Sequence, residues 1–189
     1  PVLRELGVPA TIFLATGAVE DRIPFWWQVP GLSDSEIEAM KRRSHKWIEE
    51  QLAGRADFRK AHAADFLTWE QVREMGRSGL VAFGPHGHRH ALMDLLPREE
   101  ALEDIGRCWA LLKQRVPDAL APVLAWPNGN ARADLAAELE ALGLRAAVGT
   151  GRGAVRAPGA ARWNLPRNNV DRNVARHPGL LPWLLLRAR

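Results

Sequence analysis

Two rhythms of apolar residues alternate along the chain: short solid runs, and residues spaced three and four apart. The runs Ala10-Thr11-Ile12-Phe13-Leu14-Ala15-Thr16, Leu80 to Gly84, Val123-Leu124-Ala125-Trp126 and Ala146-Ala147-Val148 are short and flanked by Gly or Pro, as buried parallel strands are. Helical signals fall between them. Ser33 with Glu36 three residues on forms a capping box, and the helix it opens is predicted to run to about Leu52, with Gly54 following. Thr68 with Gln71 forms a second box, opening a helix through Val72 and Met75 that stops near Gly79. Pro97 takes the first helical position of a segment whose Leu102, Ile105, Trp109 and Leu112 share a face. Leu135, Leu139 and Leu142 make one face of another helix, capped by Gly143. Strands alternating with helices predict an α/β fold with a parallel sheet. Strand ends followed by polar clusters suit a barrel with its site at the C-terminal face.

The ends and joints add detail. Pro1 to Gly7 reads as a last helical turn, with Leu3 and Leu6 on one face and Gly7 closing it, so the chain is expected to begin inside a longer fold. Residues 20–64 are expected to form a helical insertion within a single domain spanning 1–189. Gly149 to Gly159 is glycine-rich but lacks a G-x-G-x-x-G at a strand–helix junction, so it reads as a linker and not as a phosphate cradle. Leu180 to Leu186 is predicted to be a packing helix, and no apolar stretch reaches the ~18 residues of a membrane span.

Composition narrows the function classes only a little. A length of 189 residues can bury a core without disulfides or structural metal. The single cysteine, Cys108, lies on the apolar helix face and reads as a core residue. Net charge is +4, but the basic residues are scattered among acids, which disfavours a nucleic-acid partner. Nothing in the chain fixes a compartment or an oligomeric state.

Chemistry concentrates in Gly84-Pro85-His86-Gly87-His88-Arg89-His90, where three of the six histidines follow an apolar strand directly. A helical turn would put His86 and His90 on one side, able to meet one ion, with His88 elsewhere. An extended backbone would put all three on one face, and a solvated surface cluster is the bland alternative. Trp26 and Trp27 suit packing better than a sugar platform, while Trp126, at a strand end, suits core or pocket wall equally. Asp65 and Asp94 flank the cluster, and Asp94 reads as a helix cap before a histidine-orienting acid. His45 and His62 read as surface residues.

Phe66-Leu67-Thr68-Trp69-Glu70-Gln71-Val72 followed by Phe83 to His90 resembles the second motif of the polysaccharide deacetylase (NodB-homology, carbohydrate esterase family 4-like) family. Trp126-Pro127-Asn128-Gly129 is similar to its third motif, and Gly7-Val8-Pro9-Ala10-Thr11-Ile12-Phe13 to the segment after its first. Leu144 to Val148 and Leu165-Pro166-Arg167 match later features more loosely. The resemblance covers residues 1 to about 170, by the order and spacing of these motifs.

That resemblance implies a distorted (β/α) barrel of the polysaccharide deacetylase type, here lacking its first strand. It implies a divalent metal, Zn²⁺, held by His86 and His90. The family's third ligand and its base are aspartates of a Thr-Phe-Asp-Asp motif, which would precede Pro1. The implied reaction is hydrolysis of a non-peptide carbon–nitrogen bond, removing N-acetyl groups from a glycan substrate, with the Asn128 backbone N–H as oxyanion donor. Ala125 stands where the family carries an arginine, and Arg167 could take over its orienting role. His177 is a poor match for the family's late histidine. Two rival readings are a deacylase of small or nucleobase-derived amides, and a metal-free carbohydrate-binding pseudoenzyme.

Overall fold

The structure, a computed structural model, describes residues 1–22, 25–28, 31–52, 66–155, 161–170, 172–177 and 179–187. Gly54, His62, Asp65 and Gly159, named above, lie outside the described residues. Helix α1 (Val2–Leu6) ends on Gly7, whose φ of 63° and N–H bonds to the Arg4 and Leu3 carbonyls make the expected left-handed cap. Leu3 packs on the core, whereas Leu6 is exposed, so the two do not share a buried face.

Strand β1 (Ala10–Leu14) pairs in parallel with β2 (Val81–Pro85), Ala10 opposite Val81 and Leu14 opposite Pro85. Strand β3 (Val123–Ala125) pairs in parallel with β4 (Ala146–Val148). A parallel bridge from Phe83 to Leu120 links the two pairs, and another runs from Val148 to Leu165. The strands thus follow one another in chain order along a parallel arc. Among the described residues the arc does not close into a barrel. At the seam between pairs Gly84 is indispensable, because a Cβ there would come within 2.5 Å of the Val123 carbonyl oxygen and 2.8 Å of the Phe13 ring.

Several boundaries differ from the sequence reading. The run through Thr16 splits, because Thr16 opens a short helix α2 (Thr16–Glu20) directly after β1. The helix expected from Ser33 to Leu52 is two helices, α3 (Asp34–Met40) and α4 (His45–Leu52). The Ser33–Glu36 box starts α3, and Ser44 accepts the Trp47 N–H to start α4 afresh. Their core is small and separate: Trp26, Met40 and Ile48, with Trp27, Leu32, Ile37 and Trp47 around them. Helix α5 (Trp69–Arg77) carries the Thr68–Gln71 box. Pro97 is the N-cap of α6 (Arg98–Arg115), one position earlier than predicted.

Helix α6 lies across β2 and buries Ala101, Asp104, Ile105, Cys108, Trp109 and Leu112, while Leu102 is only partly covered. After β3, Leu135 sits in a 3-10 turn ahead of α7 (Ala136–Ala141), and both Leu135 and Leu139 are fully buried. Phe83, Leu124, Trp126 and Ala147 complete the main core. Helix α8 (Arg172–Arg176) and helix α9 (Leu180–Arg187) follow. In α9, where a packing helix was expected, Leu180, Leu181, Trp183 and Leu186 are exposed. No helix among the described residues is long and apolar enough to cross a membrane.

Because the seam at Gly84 has no room for a methyl group, Gly84→Ala should destabilise the protein by about 1–3 kcal/mol, the usual cost of overpacking. Urea denaturation would measure it, and an unchanged midpoint would show that the two strand pairs can move apart freely.

Candidate active site

The site forms where β1, β2 and β3 end. The His86 N–H donates to the Leu14 carbonyl at 3.0 Å, prolonging the β1–β2 ladder by one residue. Its ring Nδ1 lies 2.7 Å from the Ala125 carbonyl oxygen. A carbonyl only accepts, so Nδ1 carries the hydrogen and Nε2 keeps its lone pair. Ala125, whose methyl side chain offers no polar group, serves the site through its backbone carbonyl. Burial, with the nearby Arg167 charge adding to it, lowers the His86 pKa against the pull of that hydrogen bond and keeps the ring neutral.

The backbone then leaves both regular geometries considered above. Gly87 has φ 76° and His90 φ 54°, so the segment is neither a helical turn nor extended. The bend still brings the rings of His86 and His90 together, perpendicular and 4.5 Å apart between centroids. Burial, followed by the neighbouring His86, pushes the His90 pKa to about 3. Its Nδ1 is buried without a hydrogen-bond partner. Phe25 and Trp27, stacked 4.6 Å apart and 7° from parallel, lie against this ring, with Trp27 edge-on at 4.5 Å. Phe66 in turn packs edge-on to Phe25.

His88 turns away from the pair. It is buried, with Nδ1 2.9 Å from the Thr16 hydroxyl and Nε2 3.8 Å from Asp21. Its pKa is lowered, by burial first and the Arg107 charge second. Arg167 reaches the site from beyond β4. Its Nε donates to the Gly149 carbonyl at 2.6 Å, and its guanidinium stands 6.0 Å from the Phe13 ring centre. Asn128 occupies the turn after β3 with φ 57°, a left-handed conformation that asparagine tolerates better than most residues.

The other candidates sort themselves by contact. Trp126 is a core residue, fully buried with its indole N–H on the Trp163 carbonyl, and Trp26 anchors the small core. Cys108 donates weakly to the Leu14 carbonyl, and burial raises its pKa to about 11, so it stays a thiol. Asp94 does not cap α6. It lies in a 3-10 turn and accepts the Asn130 amide at 3.0 Å. His45 is not a surface residue: α4 docks on the histidine segment and leaves it 7% exposed, 3.2 Å from Glu49. His177 is exposed behind α8. Asp104 was not legible as a site residue, although an acid on the buried stripe of α6 is itself a signal. Its carboxylate takes the backbone N–H groups of His88 and Arg89 and the Arg89 Nε.

Among the described residues no three His, Cys, Asp or Glu side chains are gathered to hold an ion. The two neutral imidazoles do suit a divalent metal, since a ligand must be deprotonated and the His86 lone pair is fixed at Nε2. They amount to two of the three protein ligands that a catalytic zinc site uses.

The sequence matches the profile of the polysaccharide deacetylase family over residues 1–147. Similar solved structures include a Streptococcus pyogenes deacetylase, PplD, in complex with acetate (15% identity, TM-score 0.63, 100% of this chain and 62% of that one). IcaB from Ammonifex degensii matches at 22% identity and TM-score 0.61, over 97% of this chain and 65% of the other. The BpsB deacetylase domain from Bordetella bronchiseptica matches at 18% identity and TM-score 0.56, over 88% and 63%. This chain therefore spans less than two thirds of each of these chains, and the likeness speaks to the fold. No curated protein matches it.

Burial makes acid a specific threat to the metal-free protein. A histidine whose folded pKa lies below its unfolded value takes up its proton more readily when unfolded. Its contribution to stability is therefore present above the unfolded pKa and lost as pH falls toward the folded one. For His90 that window runs from the ordinary 6.5 down to about 3, and His45, His86 and His88 act in the same direction. In EDTA the melting temperature should fall steadily below about pH 6.5, and His90→Gln should reduce the slope. Equal slopes for the two proteins would show that the His90 ring is open to water.

Proposed function

The chain belongs to the polysaccharide deacetylase family, and from that premise we propose metal-dependent hydrolysis of the carbon–nitrogen bond of N-acetyl groups on a glycan. The observation that carries this reading is the pair of neutral imidazoles at the strand ends, with His86 locked in one tautomer by the Ala125 carbonyl.

In this reading His86 and His90 hold a divalent ion, zinc by the chemistry of the donors. Such an ion, when bound, supplies Lewis-acid polarisation of the amide carbonyl. Phe25 and Trp27 cover one side of His90 and keep water from it. Arg167 brings a fixed positive charge beside His86, where it would orient a carboxylate base in place of the arginine absent at Ala125. The Asn128 backbone N–H, in the turn that follows the Ala125 carbonyl, would donate to the oxyanion.

A second reading, a glycan-binding module without catalysis, is favoured by one observation: no acid joins His86 and His90 among the described residues. The two readings separate on a fusion carrying a βα unit with Thr-Phe-Asp-Asp ahead of Pro1. The fusion should bind zinc stoichiometrically and release acetate from N-acetylglucosamine oligomers. The chain as it stands should bind zinc weakly and lack the base contribution, worth about 10²–10⁴-fold in rate. His86→Ala or His90→Ala should strip zinc from the fusion. Glycan binding with neither zinc nor acetate release would favour the binding module.

Arg167→Met in the active fusion should lower kcat by about 10²-fold, at the lower end for a positioned catalytic group, with little change in melting temperature. A variant that melts early yet turns over normally when folded would make Arg167 structural.

A further inference from the structure

Residues 86–90 belong to no helix, and past His86 to no ladder, yet Gly87 and His88 are buried. Their polar backbone groups need partners that regular structure does not supply. The carbonyls are met from one side by the first turn of α2, where the Thr16 N–H reaches Gly87 at 3.3 Å and the Gly17 N–H reaches His88 at 2.8 Å. The N–H groups are met from the other side by a single carboxylate. Asp104 Oδ1 accepts from His88 N at 2.7 Å, and Oδ2 accepts from Arg89 N at 3.2 Å and Arg89 Nε at 2.9 Å.

The Asp104 side chain is 1% exposed and stands among Ala101, Ile105 and Cys108, all fully buried. A charge in such surroundings is retained only where it is fully paired. It presses so closely on the chain that a Cβ on Gly87 would come within 2.8 Å of Oδ1. His86 has its own fixings, to Leu14 through the backbone and to Ala125 through the ring. His90 has none at Nδ1, so its aim depends on the backbone of the residues just before it.

We infer that Asp104 is the positioning residue of the imidazole pair: it pins the backbone of His88 and Arg89, and through them sets where His90 stands relative to His86. Its functional consequence rests on the reading of the pair as metal ligands, whereas the geometric claim does not. The carboxylate acts through the loop and touches no reacting atom.

The test uses the chain labelled uniformly with ¹³C and ¹⁵N, without metal and then titrated with Co²⁺. In the wild type a ring-to-ring NOE should join His86 and His90, and the His88 and Arg89 amides should exchange slowly. Asp104→Asn turns amide hydrogens toward the Arg89 donors and breaks the pin. The NOE should weaken, both amides should exchange faster, and Co²⁺ affinity should fall by about 10–100-fold, the range for residues that orient ligands. Exchange at the Phe83 amide, inside β2, should stay as in the wild type. Asp104→Glu keeps the charge but moves the oxygens by one methylene, so it should give the same changes in milder form, even if Asp104→Asn fails to fold. Either folded variant keeping the NOE and Co²⁺ affinity while only its melting temperature drops would make Asp104 a structural residue and overturn the inference. A wild type with the NOE but no Co²⁺ uptake would sink the metal reading and leave the clamp to be judged on the NOE and exchange alone.

Discussion

A buried backbone without a ladder must find its hydrogen bonds one at a time, and the arrangement of this site follows from where residues 86–90 find theirs. The first comes from β1, whose Leu14 carbonyl accepts the His86 N–H at the point where the strands part. The next come from α2, which begins directly after β1 and is thereby placed to donate to Gly87 and His88. The last come from α6, through Asp104. Three elements distant in sequence therefore converge on four of these five residues. The two glycines in this contact, Gly17 and Gly87, are both positions where a Cβ would meet the opposing group at under 3 Å.

The electrostatics follow from the same burial. His45, His86, His88 and His90 all have lowered pKa values with desolvation as the leading cause, so the site presents uncharged nitrogens. Arg89 is paired with Asp104, and the Arg167 guanidinium, itself partly desolvated, bonds the Gly149 carbonyl and, among the described residues, no carboxylate. Neutral imidazoles beside a fixed cation leave room for negative charge at the site, which is what a metal-binding acid and a developing oxyanion would each bring in the proposed reaction.

Local signals were read well from the sequence, because their physics is local. Both capping boxes formed, Gly7 took the left-handed cap, and the short strands appeared within one or two residues of their expected limits. The proximity of His86 and His90 was anticipated from a helical turn, but a bend with two left-handed residues produced it. What the sequence hid was tertiary. His45 looked like a surface residue because nothing local shows α4 docking on the histidine segment, and Asp104 looked like one acid among several in α6. Its place between Ala101 and Ile105 on the buried stripe was visible, but the N–H groups that make the burial tolerable lie sixteen and fifteen residues away in sequence.

The small core of Trp26, Met40 and Ile48 shares no residue with the main core behind the strands. Substitutions deep in one should accordingly be nearly independent of substitutions deep in the other, since coupling energies require contact or shared partners. For a lineage of such proteins this makes residues 26–52 a region where sequence can drift, or be rebuilt, while the strands beneath keep their packing. The freedom has a boundary at Phe25 and Trp27, whose rings rest on His90, and at Glu49, 3.7 Å from Arg89. Variation there would be felt at the imidazoles, so divergence at the candidate site has a short, identifiable set of residues through which to act.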